Sequence, residues 1–253
     1  EMNPSLVGSG DVYKRQKLMS ELNNIAKKII QKGKGILAAD ESTGTMKKRL
    51  ESVGVSSTPE NRLLFRNTLF SSDAMKSYIG GVILYDETIK QNSLSKNKIP
   101  ELISDTGAVP GIKVDTGAKI LANSTEEKIT EGLDGLRERL KEYYKLGARF
   151  TKWRAVYKIT ESYPSKLSIH SNAHSLARYA ALVQESGMVP IVEPEVLMDG
   201  NHGVEECFNK TSEVIKKCFD ELEKNKIDLS GTILKPNMTV SYTHLRAHET
   251  RIH

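Results

Sequence analysis

The sequence predicts an α/β fold of the (β/α) barrel type, and two observations carry this prediction. Short apolar segments alternate with helix-like segments along the chain, which is typical of a parallel sheet covered by helices. Charged residues stand at the ends of these apolar segments, and barrels collect their active sites at the carboxyl ends of the strands. These charged ends favour a barrel over a doubly wound sheet. The six predicted strands lie near residues 35–40, 80–86, 107–114, 148–157, 189–196 and 231–235.

Most of the charged residues in the predicted strands come in pairs two positions apart. Residues i and i+2 of a strand point to the same face, so each pair projects two charges in one direction. Their flanks are apolar, which indicates buried strands in which a charge must be paired or used in chemistry. The pairs are Lys113 with Asp115, Lys152 with Arg154 and Glu193 with Glu195, and single charges close the first and last strands at Asp40 and Lys235.

Lys235 is the most informative of these charged residues. It follows the apolar run 232–234 and precedes Pro236, so the strand ends beside it. Lysine is rarely buried unless it is paired or used. An environment that disfavours its charge leaves a neutral amine, which can attack a carbonyl carbon.

Four helices are predicted between the strands from their caps and their apolar spacing. Thr58 is a suitable N-cap for the first, with Pro59 in its first turn. The second is expected to start at Ser124 and to end at Gly147, because leucines follow Ser124 at helical spacing. The last two are expected over residues 168–186 and 203–225.

Composition argues against several classes of function. The chain has 253 residues, 38% of them hydrophobic, and no stretch approaches the run of about 20 apolar residues that spans a membrane. The net charge of +5 is spread along the chain, which suits an anionic substrate but does not indicate nucleic-acid binding. No Gly-x-Gly-x-x-Gly motif follows a strand and no Walker-type loop is present. We therefore expect a cytoplasmic enzyme that binds neither nucleic acid nor membranes.

The cysteines and histidines predict neither a disulfide nor a metal site. The two cysteines would lie roughly 16 Å apart along one helix, whereas a disulfide requires Cα atoms within about 7 Å. Two histidine pairs have the i, i+4 spacing of zinc ligands, but neither lies in a His-Glu-x-x-His motif. We expect reduced thiols and no metal or other cofactor. The residues concerned are Cys207 and Cys218, His170 and His174, and His244 and His248.

Seven segments, in order and at matching spacing, resemble class I fructose-bisphosphate aldolases. The resemblance runs from about residue 17 to residue 238 and implies an eight-stranded (β/α)8 TIM barrel, of which this chain has about the first six strands. The implied reaction is the reversible cleavage of fructose 1,6-bisphosphate to dihydroxyacetone phosphate and glyceraldehyde 3-phosphate, in glycolysis and gluconeogenesis. The segments are GKGILAADESTGTMKKRL (33–50), ENRLLFRNTLF (60–70), IGGVILYDETI (79–89), PGIKVDTG (110–117), TKWRAVYKI (151–159), VPIVEPEVLMDGNH (189–202) and GTILKPNM (231–238).

The resemblance also implies five catalytic residues. Lys235 matches the lysine that forms the imine, and Lys152 beside it would favour the neutral form of that amine. Glu193 is the expected proton donor and acceptor. Asp40 would hold or deprotonate the substrate hydroxyls, and Glu195 would orient Lys235.

Four further residues are implied to bind the substrate. Lys113 and Arg49 are expected to contact its phosphates. Arg154 matches the second cation of the Lys-Trp-Arg motif, and Ser42 matches a position near the substrate. An alternative stays open for Lys113 and Glu195, which would then be no more than salt-bridge partners.

The two ends of the chain do not fit the family pattern. Residues 1–16 and 239–253 look like translated adapter or vector sequence, so we expect an incomplete barrel domain at 17–238 between foreign segments. Two strand–helix units and their phosphate-binding residues would then be missing. Three histidines of the last segment, His244, His248 and His253, are expected to have no function. The isolated domain should have two unpaired sheet edges and low solubility.

Several alternatives to an active aldolase remain open. Two of them are non-catalytic: an inactive truncated fragment and a binding scaffold. The other two are enzymes: a different imine-forming barrel, such as a transaldolase or a dihydrodipicolinate synthase, and a metal-dependent aldolase. The resemblance implies a sugar-phosphate substrate, a homotetramer and contact with the cytoskeleton.

Overall fold

In the computed structural model, which describes residues 4–237, a parallel sheet is surrounded by helices. The strands are β1 (Gly35–Ala39), β2 (Ile79–Leu84), β3 (Val109–Lys113), β4 (Gly117–Ile120), β5 (Lys128–Glu131), β6 (Phe150–Tyr157), β7 (Val189–Val196) and β8 (Ile233–Leu234). The helices are α1 (Pro4–Ile29), α2 (Thr43–Glu51), α3 (Pro59–Phe70), α4 (Ala74–Tyr78), α5 (Asp86–Ile89), α6 (Ile99–Asp105), α7 (Leu136–Lys145), α8 (Lys166–Glu185) and α9 (Val204–Lys224), with a 3₁₀ turn at Leu229–Gly231.

Six of the strands form one curled sheet in the order β1-β2-β3-β6-β7-β8, and every pair in it is parallel. These six strands confirm the six predicted from the sequence. The sheet makes a half-barrel, and because all of its strands are parallel, their carboxyl ends face the same way. The longest pairing joins β6 to β7, from Phe150 opposite Val189 to Tyr157 opposite Val196. Within the described residues, β1 and β8 are the two edges of the sheet.

The apolar core has two parts, one on each face of the sheet. The larger part lies between the sheet and the surrounding helices. The smaller part is on the inner face, where α1 packs Leu22, Ala26 and Ile29 against residues of five strands. Several of these strand residues, including Val109 and Phe150, are the first of their strands. Helix α1 therefore closes the amino-terminal end of the sheet and leaves the carboxyl end open.

The predicted helix at 124–147 is wrong over its first half. Ser124 caps a turn in which its Oγ accepts a hydrogen bond from the backbone N–H of Glu127 at 3.2 Å. The chain then enters β5, which pairs with β4 as an antiparallel hairpin. Helix α7 starts only after Gly135, which adopts a left-handed φ of 63°. The remaining predicted helices are confirmed, and Thr58 caps α3 as expected.

The domain boundaries inferred from the sequence stay a prediction. Helix α1 runs without interruption through the boundary placed between residues 16 and 17. The segment 239–253 and its three histidines lie outside the described residues.

The cysteines are buried, and the first histidine pair has a structural partner. Cys207 and Cys218 are free thiols buried on α9, in agreement with the prediction. His174 on α8 has its Nδ1 3.2 Å from Oε2 of Glu221 on α9, a carboxylate that also accepts hydrogen bonds from Lys217 at 2.9 Å and Lys224 at 3.1 Å. These contacts join α8 to α9.

We expect Gly80→Ala to destabilise the fold, because α1 passes directly over this residue of β2. A Cβ added at Gly80 would stand 2.0 Å from the carbonyl oxygen of Ile29. Since the obstacle is backbone, α1 must shift, at a cost of about 1–3 kcal/mol or more. Urea unfolding measures the change. Gly35→Ala on β1, where no atom lies within 4 Å of an added Cβ, is the control. Equal losses in the two variants would contradict this packing.

We also expect the Glu221 contacts to stabilise the fold in a pH-dependent way. The hydrogen bond from Lys217 is the main cause that lowers the pKa of Glu221 from 4.5 to about 2. Because the folded-state pKa is the lower one, the carboxylate contributes stability above pH 4.5 and loses it as the pH falls towards 2. Glu221→Gln should therefore lower the free energy of unfolding at pH 7 by about 1–3 kcal/mol.

Denaturant titrations of both proteins between pH 2 and pH 7 test this expectation. The difference between wild type and Glu221→Gln should shrink as the pH falls below 4.5. Asp220→Asn, at the exposed neighbouring position, is the matched control and should follow wild type. A difference that stays constant over the whole pH range would refute the role given to the carboxylate.

Candidate active site

Four of the predicted catalytic residues form a continuous line of ion pairs at the carboxyl end of the sheet. Lys152 donates a hydrogen bond from Nζ to Oδ2 of Asp40 at 2.9 Å. The same Nζ lies 3.4 Å from Oε2 of Glu193. The other carboxylate oxygen of Glu193 accepts a hydrogen bond from Nζ of Lys235. Glu193 therefore bridges two lysines, and the line runs from β1 across β6 and β7 to the end of β8.

Strand register explains why these residues meet. Strand β7 lies between β6 and β8, with Ile191 opposite both Lys152 and Ile233. Glu193 comes two residues after Ile191 on the same face, so its side chain reaches the lysines on either side. Beyond β8, the N–H of Lys235 still donates to the carbonyl of Val192 at 2.9 Å. This bond aligns Lys235 with the sheet just before Pro236 ends the strand.

Burial and charge differ strongly along the line. Glu193 is only 2% exposed, whereas the side chain of Lys235 is 45% exposed and accessible to a small molecule. Lys152 is buried, and burial alone would lower its pKa. The carboxylates of Asp40 and Glu193 outweigh burial, so the pKa of Lys152 is raised. Lys152 is therefore a fixed positive charge, held between two carboxylates.

Glu195 does not make the contact predicted for it. Its Oε2 accepts a hydrogen bond from Nε of Arg154, and the carboxylate contact with Lys235 comes from Glu193 instead. Both glutamates point to the same face, as the i, i+2 spacing predicts. Glu195, however, lies two residues beyond Glu193 on β7 and stands opposite Val156 of β6. At this position its carboxylate reaches Arg154. Arg154 and Glu195 thus form a second ion pair, more exposed than the first.

Lys113 on β3 is held by a residue that was not assigned a role from the sequence. Its Nζ donates to Oδ1 and, at 2.9 Å, to the backbone carbonyl of Asp115. Asp115 is buried and also accepts hydrogen bonds from the N–H groups of Gly117 at 3.1 Å and Arg154 at 3.3 Å. It therefore connects β3, β6 and the hairpin. Its spacing from Lys113 was the sequence feature that could have identified it.

The loop between β1 and α2 carries the remaining predicted residues. Ser42 is the N-cap of α2 and accepts from the N–H of Thr45 at 3.3 Å. Arg49 is exposed and pairs with Oε1 of Glu41 at 2.5 Å. Behind the loop, the fully buried Arg66 of α3 donates to the carbonyl oxygen of Glu41 at 2.6 Å. Burial lowers the pKa of Arg66 more than its neighbouring carboxylates raise it.

A cavity of about 610 Å³ opens at this end of the sheet. Six of the nine predicted residues line it, and Glu193, Glu195 and Lys235 adjoin it through the ion pairs described above. Sequence reasoning missed the lining that comes from the hairpin, since a helix was expected there. The six are Asp40, Ser42, Arg49, Lys113, Lys152 and Arg154, and unpredicted lining residues include Glu41, Tyr85, Asp115 and Lys128.

The described part of the chain has neither a cluster of metal-ligating side chains nor a membrane-spanning helix. Among the side chains that the structure describes, no group of three or more His, Cys, Asp or Glu is arranged to hold a metal ion. Among the helices of this part of the chain, none has both the length and the hydropathy required to cross a membrane.

Comparison with known proteins gives a consistent result. The family model for glycolytic fructose-bisphosphate aldolase class-I matches residues 21–251. The chain is 49% identical over 223 residues to a probable fructose-bisphosphate aldolase class 1 of Xanthomonas campestris, covering 88% of this chain and 67% of the relative. It is 50% identical over 206 residues to fructose-bisphosphate aldolase 4, cytosolic, of Arabidopsis thaliana, covering 81% and 52%.

A solved structure shares the fold as well as the sequence. It is the fructose-bisphosphate aldolase of Plasmodium falciparum, in complex with TRAP and a small-molecule inhibitor, with a TM-score of 0.87 and 46% identity. The match covers 89% of this chain and 65% of that one, so the chain spans about two thirds of the length of the solved relative. On the family match, the sequence identities and the shared fold, this chain belongs to the class I fructose-bisphosphate aldolase family, a family of lyases.

Proposed function

We propose that this protein cleaves fructose 1,6-bisphosphate reversibly, through an imine between the substrate and Lys235. The observation that carries the proposal is the buried Glu193, which contacts Lys235 through one oxygen and approaches Lys152 with the other. A carboxylate in contact with a lysine can accept its proton and leave a neutral nucleophile. A cavity of about 610 Å³ also suits a small anionic substrate.

The first half of the reaction forms the imine. Neutral Lys235 attacks C2 of the open-chain sugar, and the carbonyl oxygen takes up a proton to give a carbinolamine. Protonated Glu193 then donates its proton to the carbinolamine hydroxyl, which leaves as water. The product is a positively charged iminium at C2. The buried positive charge of Lys152 compensates the charge of the Glu193 carboxylate that this step regenerates.

The second half breaks the bond between C3 and C4. A base removes the proton of the C4 hydroxyl, the C3–C4 electron pair moves into the iminium, and glyceraldehyde 3-phosphate leaves. Glu193 is the first candidate for this base. Asp40, fixed by Lys152 at 2.9 Å, would hold the substrate hydroxyls or take the proton itself. Protonation of the enamine at C3 and hydrolysis then release dihydroxyacetone phosphate and free Lys235.

The remaining assignments concern substrate binding and cellular context. We assign Lys113, Arg49, Arg154 and Ser42 to the substrate, because all four line the cavity. We further propose a cytoplasmic enzyme, supported by the cytosolic relative from Arabidopsis thaliana. The homotetramer and the cytoskeletal contact are proposals from the family resemblance, which sedimentation and actin pelleting would test.

Borohydride trapping tests the identity of the nucleophile. Incubation with dihydroxyacetone phosphate followed by reduction should give a stable secondary amine at Lys235, because borohydride reduces the imine without releasing the lysine. Peptide mass spectrometry locates the adduct. Lys235→Ala should give none, and Lys216→Ala, at an exposed lysine of α9, should label like wild type. A folded protein that forms no adduct would support the inactive fragment instead.

Replacement of each glutamate of β7 separates their roles. Glu193→Gln keeps the size of the side chain but removes the proton acceptor, so kcat should fall by about 10²–10⁴-fold. Glu195→Gln, two residues along the same strand, weakens only the pair with Arg154, so its effect on kcat should be far smaller. Steady-state kinetics on fructose 1,6-bisphosphate measures both. Equal losses of kcat would argue against Glu193 as the group that transfers protons.

A further inference from the structure

The cavity is lined by five cationic side chains, and four of them already have a carboxylate partner. A lysine or arginine neutralised in this way offers less net charge to an anionic ligand than a free one. The four pairs are Arg49 with Glu41, Lys113 with Asp115, Lys152 with Asp40 and Arg154 with Glu195.

Lys128 is the fifth cation, and it differs from the others. Its side chain lines the cavity from β5 and is exposed, and no carboxylate among the side chains that the structure describes pairs with it. The charge of its ammonium group is therefore not offset by a paired carboxylate, unlike those of the other four cations. Lys128 is thus the lining cation that is most available to an anionic ligand.

The hairpin holds Lys128 in a defined position. The side chain of Asn172, fully buried on α8, donates to the carbonyl oxygen of Lys128 at 2.8 Å and accepts from the N–H of Thr130 at 3.2 Å. Thr130 in turn donates from Oγ1 to the carbonyl oxygen of Arg154 at 2.7 Å. The backbone of β5 is thus fixed both to α8 and to the strand that carries Lys152 and Arg154.

The opposite strand of the hairpin is fixed as well. The N–H of Thr116 donates to the carbonyl oxygen of Glu131 at 2.9 Å, which holds the two strands together where they leave β3. Gly132 has a φ of 127°, and a Cβ there would stand 3.0 Å from the backbone nitrogen of Thr116. This glycine therefore allows the hairpin to approach the loop after β3 closely. The backbone that carries Lys128 is therefore fixed beside the cavity, so binding need order only the lysine side chain.

We propose that Lys128 binds the 6-phosphate of fructose 1,6-bisphosphate and thereby contributes to the preference for a bisphosphate. The inference rests on the proposed function, since an imine between Lys235 and C2 fixes the orientation of the sugar in the cavity. The 1-phosphate is attached next to C2 and stays near β8. The 6-phosphate extends away from Lys235, towards β3 and the hairpin that follows it. Strand β3 is the third strand along the sheet from β8. Lys113 on β3 and Lys128 on the hairpin both line the cavity.

Steady-state kinetics on two substrates tests the proposal. Lys128→Ala should lower kcat/KM for fructose 1,6-bisphosphate about tenfold, mainly through KM, because one charge-assisted hydrogen bond to a phosphate is lost. Its kcat/KM for fructose 1-phosphate should not change, since that substrate has no 6-phosphate. Lys128→Arg keeps the charge and should restore most of the activity on the bisphosphate.

Lys119 of β4 provides the matched control. It lies on the same hairpin and is also an exposed lysine, but it pairs with Ile129, so it points to the face opposite Lys128. Lys119→Ala should therefore behave as wild type on both substrates. Equal losses on the two substrates, an unchanged Lys128→Ala, or an equal effect of Lys119→Ala would each overturn the proposal. A folded wild-type protein inactive on both sugars would instead reject the proposed function on which it rests.

Discussion

The candidate site depends on one buried carboxylate, that of Glu193. It lies between two lysines from different strands, one buried and one accessible from solvent. A buried carboxylate without a counter-charge would be strongly unfavourable, so the fold must supply the lysines for Glu193 to remain ionised. The same contact lets Glu193 exchange a proton with the exposed lysine. Stability of the ion pairs and reactivity of the amine therefore arise from one arrangement.

The parallel sheet makes this arrangement possible. Its strands all end at the same edge, and their register decides which charged side chains become neighbours. A shift of one residue between β6 and β7 would place Glu193 and Lys152 on opposite faces of the sheet, since alternate residues point to opposite faces. The apolar contacts at the other end, where α1 packs under the sheet, help to keep the strands in place.

The sequence predicted the strands better than the contacts between their side chains. Apolar runs, prolines and the i, i+2 spacing were local features, and they were sufficient to locate the six parallel strands. The partner of Glu195 depends on pairing between β6 and β7, which is not encoded in either segment alone. The hairpin was missed because Ser124 and the residues after it resemble a helix start. What holds β5 in place is Asn172, which is distant in sequence and gave no local indication.

The buried Arg66 has a consequence for the loop that follows β1. Its hydrogen bond to the carbonyl oxygen of Glu41 joins that loop to α3, although no residue of α3 lines the cavity. Opening of either segment breaks this hydrogen bond to a fully buried guanidinium, so opening of the loop and opening of α3 are coupled. By linkage, a ligand that orders Asp40 and Ser42 also protects α3 against opening. Opening of α3 in turn weakens binding of that ligand by the same free energy. Helix α3, which lies outside the cavity, thus contributes to the affinity of the cavity for its ligand.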